Sequence, residues 1–216
     1  IEKKNYDVWH FIFLNYKNLF LIKSLHKFKQ KIIVTFQGAD IQINKKINYG
    51  NRLDRKYEKI LRESLDKINK YTAISKNVYL DLIKIGVKKE RIFSIPNGVP
   101  SEKFKRLSFK LKKKKLKKLN LITVARYAEK KKGYDLIPGI LISLIKLKIN
   151  FKWTIIGKDT SKILENKIIK KNKEKFKIFE NLFLVKENFF PSKKIVENYL
   201  NSDLYINLSR IESFGI

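Results

Sequence analysis

Residues 119–135 read LNLITVARYAEKKKGYD, and their reading decides the fold. Leu121–Val124 is short, apolar and rich in β-branched residues, which predicts a strand. A charged loop, Arg126–Lys132, follows it, ends on Gly133 and opens a strongly apolar helix. A strand, a basic loop and a helix start in succession make an anion site: the first N–H groups of a helix lack partners and its dipole is positive there. Arg126 can hold a phosphate through two N–H groups, and Lys132 adds a flexible point charge. The ligand that suits such a loop is a diphosphate; the plain alternative is a solvated, charged βα loop.

Outward from this stretch the chain alternates between strand and helix patterns. Before it, Tyr6–Leu14 and Lys31–Phe36 read as strands buried on both faces, Leu19–Phe28 and Tyr57–Ile68 as helices, and Thr72–Ile74 as a short strand. Ser75 is placed to cap a helix that runs past Leu82 and Ile85 to Gly86, and Ile92–Ile95 is a strand stopped by Pro96-Asn97-Gly98. After it come a helix over Tyr134–Leu147, a strand at Lys152–Ile156, a basic helix at Ile163–Phe176 and a strand at Leu182–Val185. A helix at Lys193–Leu200 capped by Ser192 and a last strand at Leu204–Leu208 complete the series. Such alternation predicts a parallel α/β architecture. It falls into two units: 1–105, and 119–216, divided by a basic linker at 106–118 that contains the lysine run Lys110–Lys118.

The composition narrows the class. Hydrophobic residues make up 44%, enough for packed cores, and the absence of cysteine excludes disulfides and thiolate metal sites. No apolar run approaches the roughly 18 residues that span a bilayer. The net charge of +30 invites an anionic partner. The lysines are spread along the whole chain, however, so a solvated surface is the simpler account and an anionic membrane surface the secondary one. The chain starts at Ile1 and stops at Ile216 inside a motif, so it is expected to be a fragment lacking both ends.

Several further residues are candidates for chemistry. Gly38 and Asp40 follow a strand, where open α/β sheets bind ligands; Gly38 permits close approach, and Asp40 either accepts a hydrogen bond from a hydroxyl or closes a turn. His10 ends the first strand, where a satisfied core histidine is the plainer reading, and His26 lies on a basic helix. Gly157, at a strand tip, permits backbone approach to a nucleotide or serves as a turn glycine. Glu212 follows the last strand, flanked by Ser209, Ser213, Phe214 and Gly215, and can orient sugar hydroxyls. No nucleophilic triad, metal-ligand pattern or glycine-rich nucleotide loop is present in the sequence.

Taken together, AISKNVYLDLIKIGVKKERIFSIPNGVPSEKF at 73–104, VARYAEKKKGYDLI at 124–137, WTIIGKD at 153–159 and NSDLYINLSRIESFGI at 201–216 resemble family 4 of the retaining GT-B glycosyltransferases. The resemblance implies two Rossmann-like domains facing a cleft, with a sugar nucleotide held by the second. It implies that Arg126 and Lys132 bind the donor diphosphate and that Glu212 corresponds to the first glutamate of an E-x7-E motif. Ser213, Phe214 and Gly215 would then lie with Gly157 on the donor side, and Gly38, Asp40 and His10 on the acceptor side. Gln37 stands where that turn often has histidine, Ala125 where glycine usually precedes the arginine, and Lys186-Glu187 where a glycine often follows a strand. The second glutamate is expected beyond Ile216.

The function this implies is a metal-independent, retaining transfer of sugar from a UDP-, GDP- or ADP-sugar, with no cofactor. The acceptor is a glycan or lipid-linked molecule of cell-surface polysaccharide synthesis, and nucleic acid is not a partner. The expected location is the cytoplasm, peripheral on the inner face of the membrane, and residues 1–216 alone are expected not to turn over. The competing readings are another GT-B enzyme, such as a sugar-nucleotide epimerase, and a non-enzymatic basic protein that binds membrane or nucleic acid.

Overall fold

The computed structural model describes residues 6–99, 101–109, 118–180 and 192–214. The expected strand at 182–185, the pair Lys186-Glu187, Gly215 and residues 110–117 of the expected linker lie outside that set. The chain divides into two compact units, 1–99 with 211–216, and 100–210.

Among the described residues the first unit holds four parallel strands in the order β1-β2-β3-β4: β1 (Trp9–Ile12), β2 (Ile32–Phe36), β3 (Lys70–Ala73) and β4 (Ile92–Ser94). The connecting helices are α1 (Tyr16–Lys27), α2 (Arg55–Ser64) and α3 (Lys76–Lys84). Each has a side chain accepting from its first free N–H groups: Asn15 for α1, Asp54 for α2 and Ser75 for α3. Leu19, Ile22 and Leu25 of α1 and Tyr57, Ile60 and Leu61 of α2 pack with Val34, Phe36 and Tyr71 of the sheet. The β1 stretch departs from the expectation of a strand buried on both faces. It is an edge strand among the described residues, with His10 and Ile12 exposed and only Trp9 and Phe11 turned toward the core. The run YDVWHFIFL is apolar in composition, but only one face of β1 packs on the core, so alternate side chains are left exposed.

The second unit repeats the plan with strand order β7-β6-β5-β8, again all parallel. It comprises α4 (Ser101–Phe109), β5 (Leu119–Val124), α5 (Ile137–Lys146), β6 (Phe151–Ile156), α6 (Lys167–Lys171), β7 (Phe176–Phe179), α7 (Lys193–Leu200) and β8 (Leu204–Tyr205). Helix α4 packs on α7, so residues 106–109 of the expected linker are helical and belong here, whereas the last residues group with the first unit.

Trp153 is fully buried at the centre of this core, stacked on Phe176 at 6.0 Å. Its indole N–H donates to Thr123 Oγ1 at 3.1 Å, and that hydroxyl donates to the Ile206 carbonyl at 2.9 Å. A single buried chain thus joins β6 and β5 to the segment after β8, and every polar atom in it has a partner. The long basic helix expected over Ile163–Phe176 is broken. Asn166 Oδ1 accepts from the Ile168 and Ile169 N–H groups and starts a fresh five-residue α6. Phe176 is needed as a strand residue over Trp153, which ends the helical pattern before it.

Candidate functional site

In a parallel α/β sheet the loops at the carboxyl ends of the strands are where ligands gather. In the second unit that edge is built from the loop after β5 and the turn after β6. Beyond its last strand residue β5 stays paired with the neighbouring chain: the Ala125 N–H donates to the Ile156 carbonyl at 2.9 Å and the Tyr127 N–H to the Lys158 carbonyl at 2.8 Å. This fixes the backbone on both sides of Arg126, whose side chain is exposed and makes no ion pair with any described residue.

Gly157 makes that pairing sterically feasible. At φ +156° it occupies a region closed to most side chains, and a Cβ there would lie 2.0 Å from the Ala125 carbonyl oxygen. The space at Gly157 is therefore filled by protein backbone, so its role in the structure is to seat residues 125–126. Gly157→Ala is expected to lower the unfolding free energy of the second unit by more than about 2 kcal/mol, combining left-side strain with a hard clash; urea unfolding monitored by tryptophan fluorescence reads it.

The rest of the loop is tied down by two residues that sequence reasoning passed over. Tyr134 is buried, donates its hydroxyl to the Ala125 carbonyl at 2.5 Å and packs on Tyr127 with ring centroids 5.0 Å apart. Burial pushes the Tyr134 phenol far above its ordinary range, so it remains a donor. Arg210 holds Asp135 through two bonds of 2.7 Å, donates to the Lys130 carbonyl at 2.6 Å, and its backbone N–H bonds the Lys131 carbonyl at 3.0 Å. A paired Arg/Asp spaced 75 residues apart carries no local signal, whereas an aromatic residue directly after a loop glycine is the local signal for Tyr134.

One expectation changes form. The helix was expected to open at Tyr134 with free N–H groups facing an anion. Instead Tyr134–Leu136 is a 3-10 turn, and the Leu136 N–H donates to the Gly133 carbonyl. Helix α5 begins only at Ile137, with Pro138 lacking an N–H in its first turn. The positive character of this edge therefore comes from side chains: Arg126, and Lys132 on the same loop, half-buried with its N–H bonded to the Ala128 carbonyl.

A depression of about 340 Å³ beside the loop is lined by Tyr127, Glu129, Asp135, Lys162 and Glu165. Three carboxylates around one lysine repel a diphosphate, so that depression is poorly suited to it. A larger groove of about 460 Å³, with Lys118, Lys152 and Lys177, lies toward the amino ends of the strands.

In the first unit the carboxyl edge of β2 carries Gln37-Gly38-Ala39-Asp40. Asp40 is completely buried and accepts from the N–H groups of Leu14 at 3.0 Å, Gly38 at 2.8 Å and Gln37 at 3.0 Å. Burial raises its carboxyl to about 6 against the opposing pull of these bonds. Of the two readings of Asp40, the structure gives the turn-closing one. Gln37 Oε1 accepts from Asn97 Nδ2 at 3.2 Å, so Asn97, read from sequence only as a turn residue, joins this edge.

The remaining candidates fall as follows. His10 lies inside β1 rather than at its end; it is exposed and its Nε2 is 2.8 Å from Thr35 Oγ1. Glu212 is half-buried and groups with the first unit, as do Ser213 and Phe214. The Ser213 hydroxyl donates to Gln42 Oε1 at 2.6 Å, and Phe214 packs against the first core. A Cβ on Gly38, which has φ +131°, would lie 1.7 Å from Ser213 Oγ, so Gly38 makes room for that residue. Arg126, Lys132 and Gly157 are thus brought to one edge of the second unit, and Gly38, Asp40, Ser213 and Phe214 come together in the first.

Comparison with known proteins agrees with this architecture. Residues 1–103 match the model of Glycosyltransferase Family 4. No curated protein sequence matches the chain. Among solved structures, a glycosyltransferase from Rickettsia africae superposes with a TM-score of 0.65 at 19% identity, covering 99% of this chain and 54% of that one. A sucrose-phosphate synthase from Thermosynechococcus elongatus gives 0.67 at 12%, covering 99% and 53%. Anabaena HepE, solved with UDP and glucose, gives 0.59 at 15%, covering 97% and 55%. The chain spans about half the length of these structures, and at such identities the likeness is one of fold. Residues 1–103 are thus similar to glycosyltransferase family 4, a match over just under half of the chain, and its two units have the parallel α/β fold of the GT-B glycosyltransferases on which the chain superposes.

Proposed function

We propose that this chain is part of a retaining glycosyltransferase that takes its sugar from a nucleotide diphosphate. The observation that carries the reading is the contrast between two arginines at the same sheet edge. Arg210 is committed to Asp135 and two loop carbonyls, whereas Arg126 is exposed, seated on fixed backbone and has no carboxylate partner among the described residues. A planar guanidinium held in this way is matched to two phosphate oxygens.

In this reading Arg126 and Lys132 bind the donor diphosphate. As the bond between the anomeric carbon and the phosphate oxygen breaks, negative charge grows on the leaving phosphate, and the two cations stabilise it without a divalent ion. The same phosphate accepts the proton of the incoming hydroxyl, so transfer occurs on one face of the sugar with retention. Glu212 orients donor-sugar hydroxyls, and the turn at Gly38 that Asp40 holds closed belongs to the acceptor side. Anabaena HepE, which shares the fold, was solved with UDP-glucose, which makes a UDP-sugar the first donor to try. The acceptor is a glycan or lipid-linked molecule of cell-surface polysaccharide synthesis.

The test is nucleotide release by the intact gene product from a panel of UDP-, GDP- and ADP-sugars with a mixture of glycan and lipid-linked acceptors. One donor is expected to release nucleotide, and Lys132→Ala to abolish that release, with urea unfolding run alongside to separate loss of transfer from loss of fold. Release that is equal in wild type and variant would remove the loop from the mechanism. A product in which the sugar is epimerised rather than transferred would replace the transferase reading.

A further inference from the structure

We propose that the outer face of α1 docks on an anionic phospholipid bilayer. The proposal goes beyond the transferase reading and does not depend on it. In a helix of 3.6 residues per turn, Phe20 lies about 200° around from Ile22, which is fully buried. It sits near the middle of the solvent-facing side, where a polar residue belongs. Yet it is a phenylalanine, 53% exposed, and its neighbours on that face at three residues before, three after and seven after are Lys17, Lys23 and Lys27. The helix ends directly in Phe28, 67% exposed, followed by Lys29 in a left-handed turn and Lys31.

Charge on this segment is of one sign. Between Asp7 and Asp40 there is no acidic residue, and there are five lysines. Lys23 pairs with Glu63 of α2 at 2.7 Å; Lys17, Lys27, Lys29 and Lys31 make no ion pair with a described residue. Large aromatic side chains in the midst of free ammonium groups are poorly placed in water. They match the boundary of a membrane, where the ring enters the acyl region and the lysines reach the headgroup phosphates. A nucleic-acid duplex, whose bases are already stacked on one another, would satisfy the lysines and leave both phenylalanines exposed. No described helix is long and apolar enough to cross a membrane, so the contact is one of surface attachment.

The experiment is co-sedimentation of the intact gene product with phosphatidylcholine vesicles, with and without phosphatidylglycerol, at low and high salt. Binding is expected only to the anionic vesicles, and salt is expected to weaken it. Lys17→Gln, Lys27→Gln and Lys29→Gln together are expected to lower the partition coefficient about a hundredfold, at about fivefold per lysine. Phe20→Ser with Phe28→Ser is expected to lower it about tenfold or more. Both sites are exposed, so urea midpoints should be unchanged, and an unchanged midpoint excludes misfolding as the cause. No binding to anionic vesicles would overturn the proposal. So would loss of binding in the lysine variant with no loss in the phenylalanine variant, which is the pattern of charge attraction without insertion of the rings.

Discussion

Replacing Arg126 by alanine is expected to lower sugar transfer by about 10²–10³-fold, the usual cost of removing one group that stabilises charge developing in a transition state. The loss should appear mainly in kcat, because the charge on the leaving phosphate is greatest as the glycosidic bond breaks. Arg126→Lys keeps the charge but not the planar pair of donors, and recovery is expected to be partial, to within about tenfold of wild type. Stability should not change: Arg126 is exposed and carries no ion pair among the described residues, so its removal leaves no buried group unpaired. Single-turnover rates for the three proteins, with urea midpoints alongside, separate the outcomes. A rise in KM at constant kcat would mean that Arg126 binds donor and transition state equally, and its role would be affinity alone.

Arg210→Ala provides the contrast. Its pairing with Asp135 is partly solvent-exposed, so little stability rides on it. Its effect on transfer passes through the order of loop 130–135. Two arginines of the same loop region therefore separate by readout, one acting on chemistry and the other on loop position.

The strand–helix alternation and the position of Arg126 at a strand's carboxyl edge were legible from sequence because they rest on local periodicity and on neighbouring residues. So were the caps at Ser75 and Ser192, where a hydroxyl precedes an apolar-periodic run. What escaped was set by distant partners. The helix expected at 163–176 gave way because Phe176 packs on Trp153, and β1 was misjudged because burial on both faces depends on what packs above and below the strand, not on its own apolar residues. The helix start at Tyr134 was displaced because Gly133 and Leu136 close a tighter turn first. Asp40 illustrates the same limit at the site: the sequence placed a carboxylate in a ligand-bearing turn and left two roles open, and only its depth decides between them.

That depth has a measurable consequence. The Asp40 carboxyl sits at about 6 in the folded protein, raised from 3.8 by burial. Between those values the folded state holds a proton that the unfolded state has released. The stabilising contribution of the protonated form is fully present below pH 3.8 and is lost as pH rises through 6. Linkage then predicts that the first unit is more stable at pH 5 than at pH 7, by on the order of 1 kcal/mol on account of this group alone. Asp40→Asn, neutral at both values, should abolish that difference, and comparing it with wild type by urea unfolding removes the contributions of the two histidines. Asp40→Ala should be far more damaging. It strands the N–H groups of Leu14, Gln37 and Gly38 without their acceptor, at a cost of at least about 3 kcal/mol, a large fraction of what a domain of this size commonly has. Because the same turn places Gly38 against Ser213, transfer is expected to fall together with stability in Asp40→Ala. A variant as stable as wild type, with no change in its pH profile, would show that this carboxylate does not hold the turn.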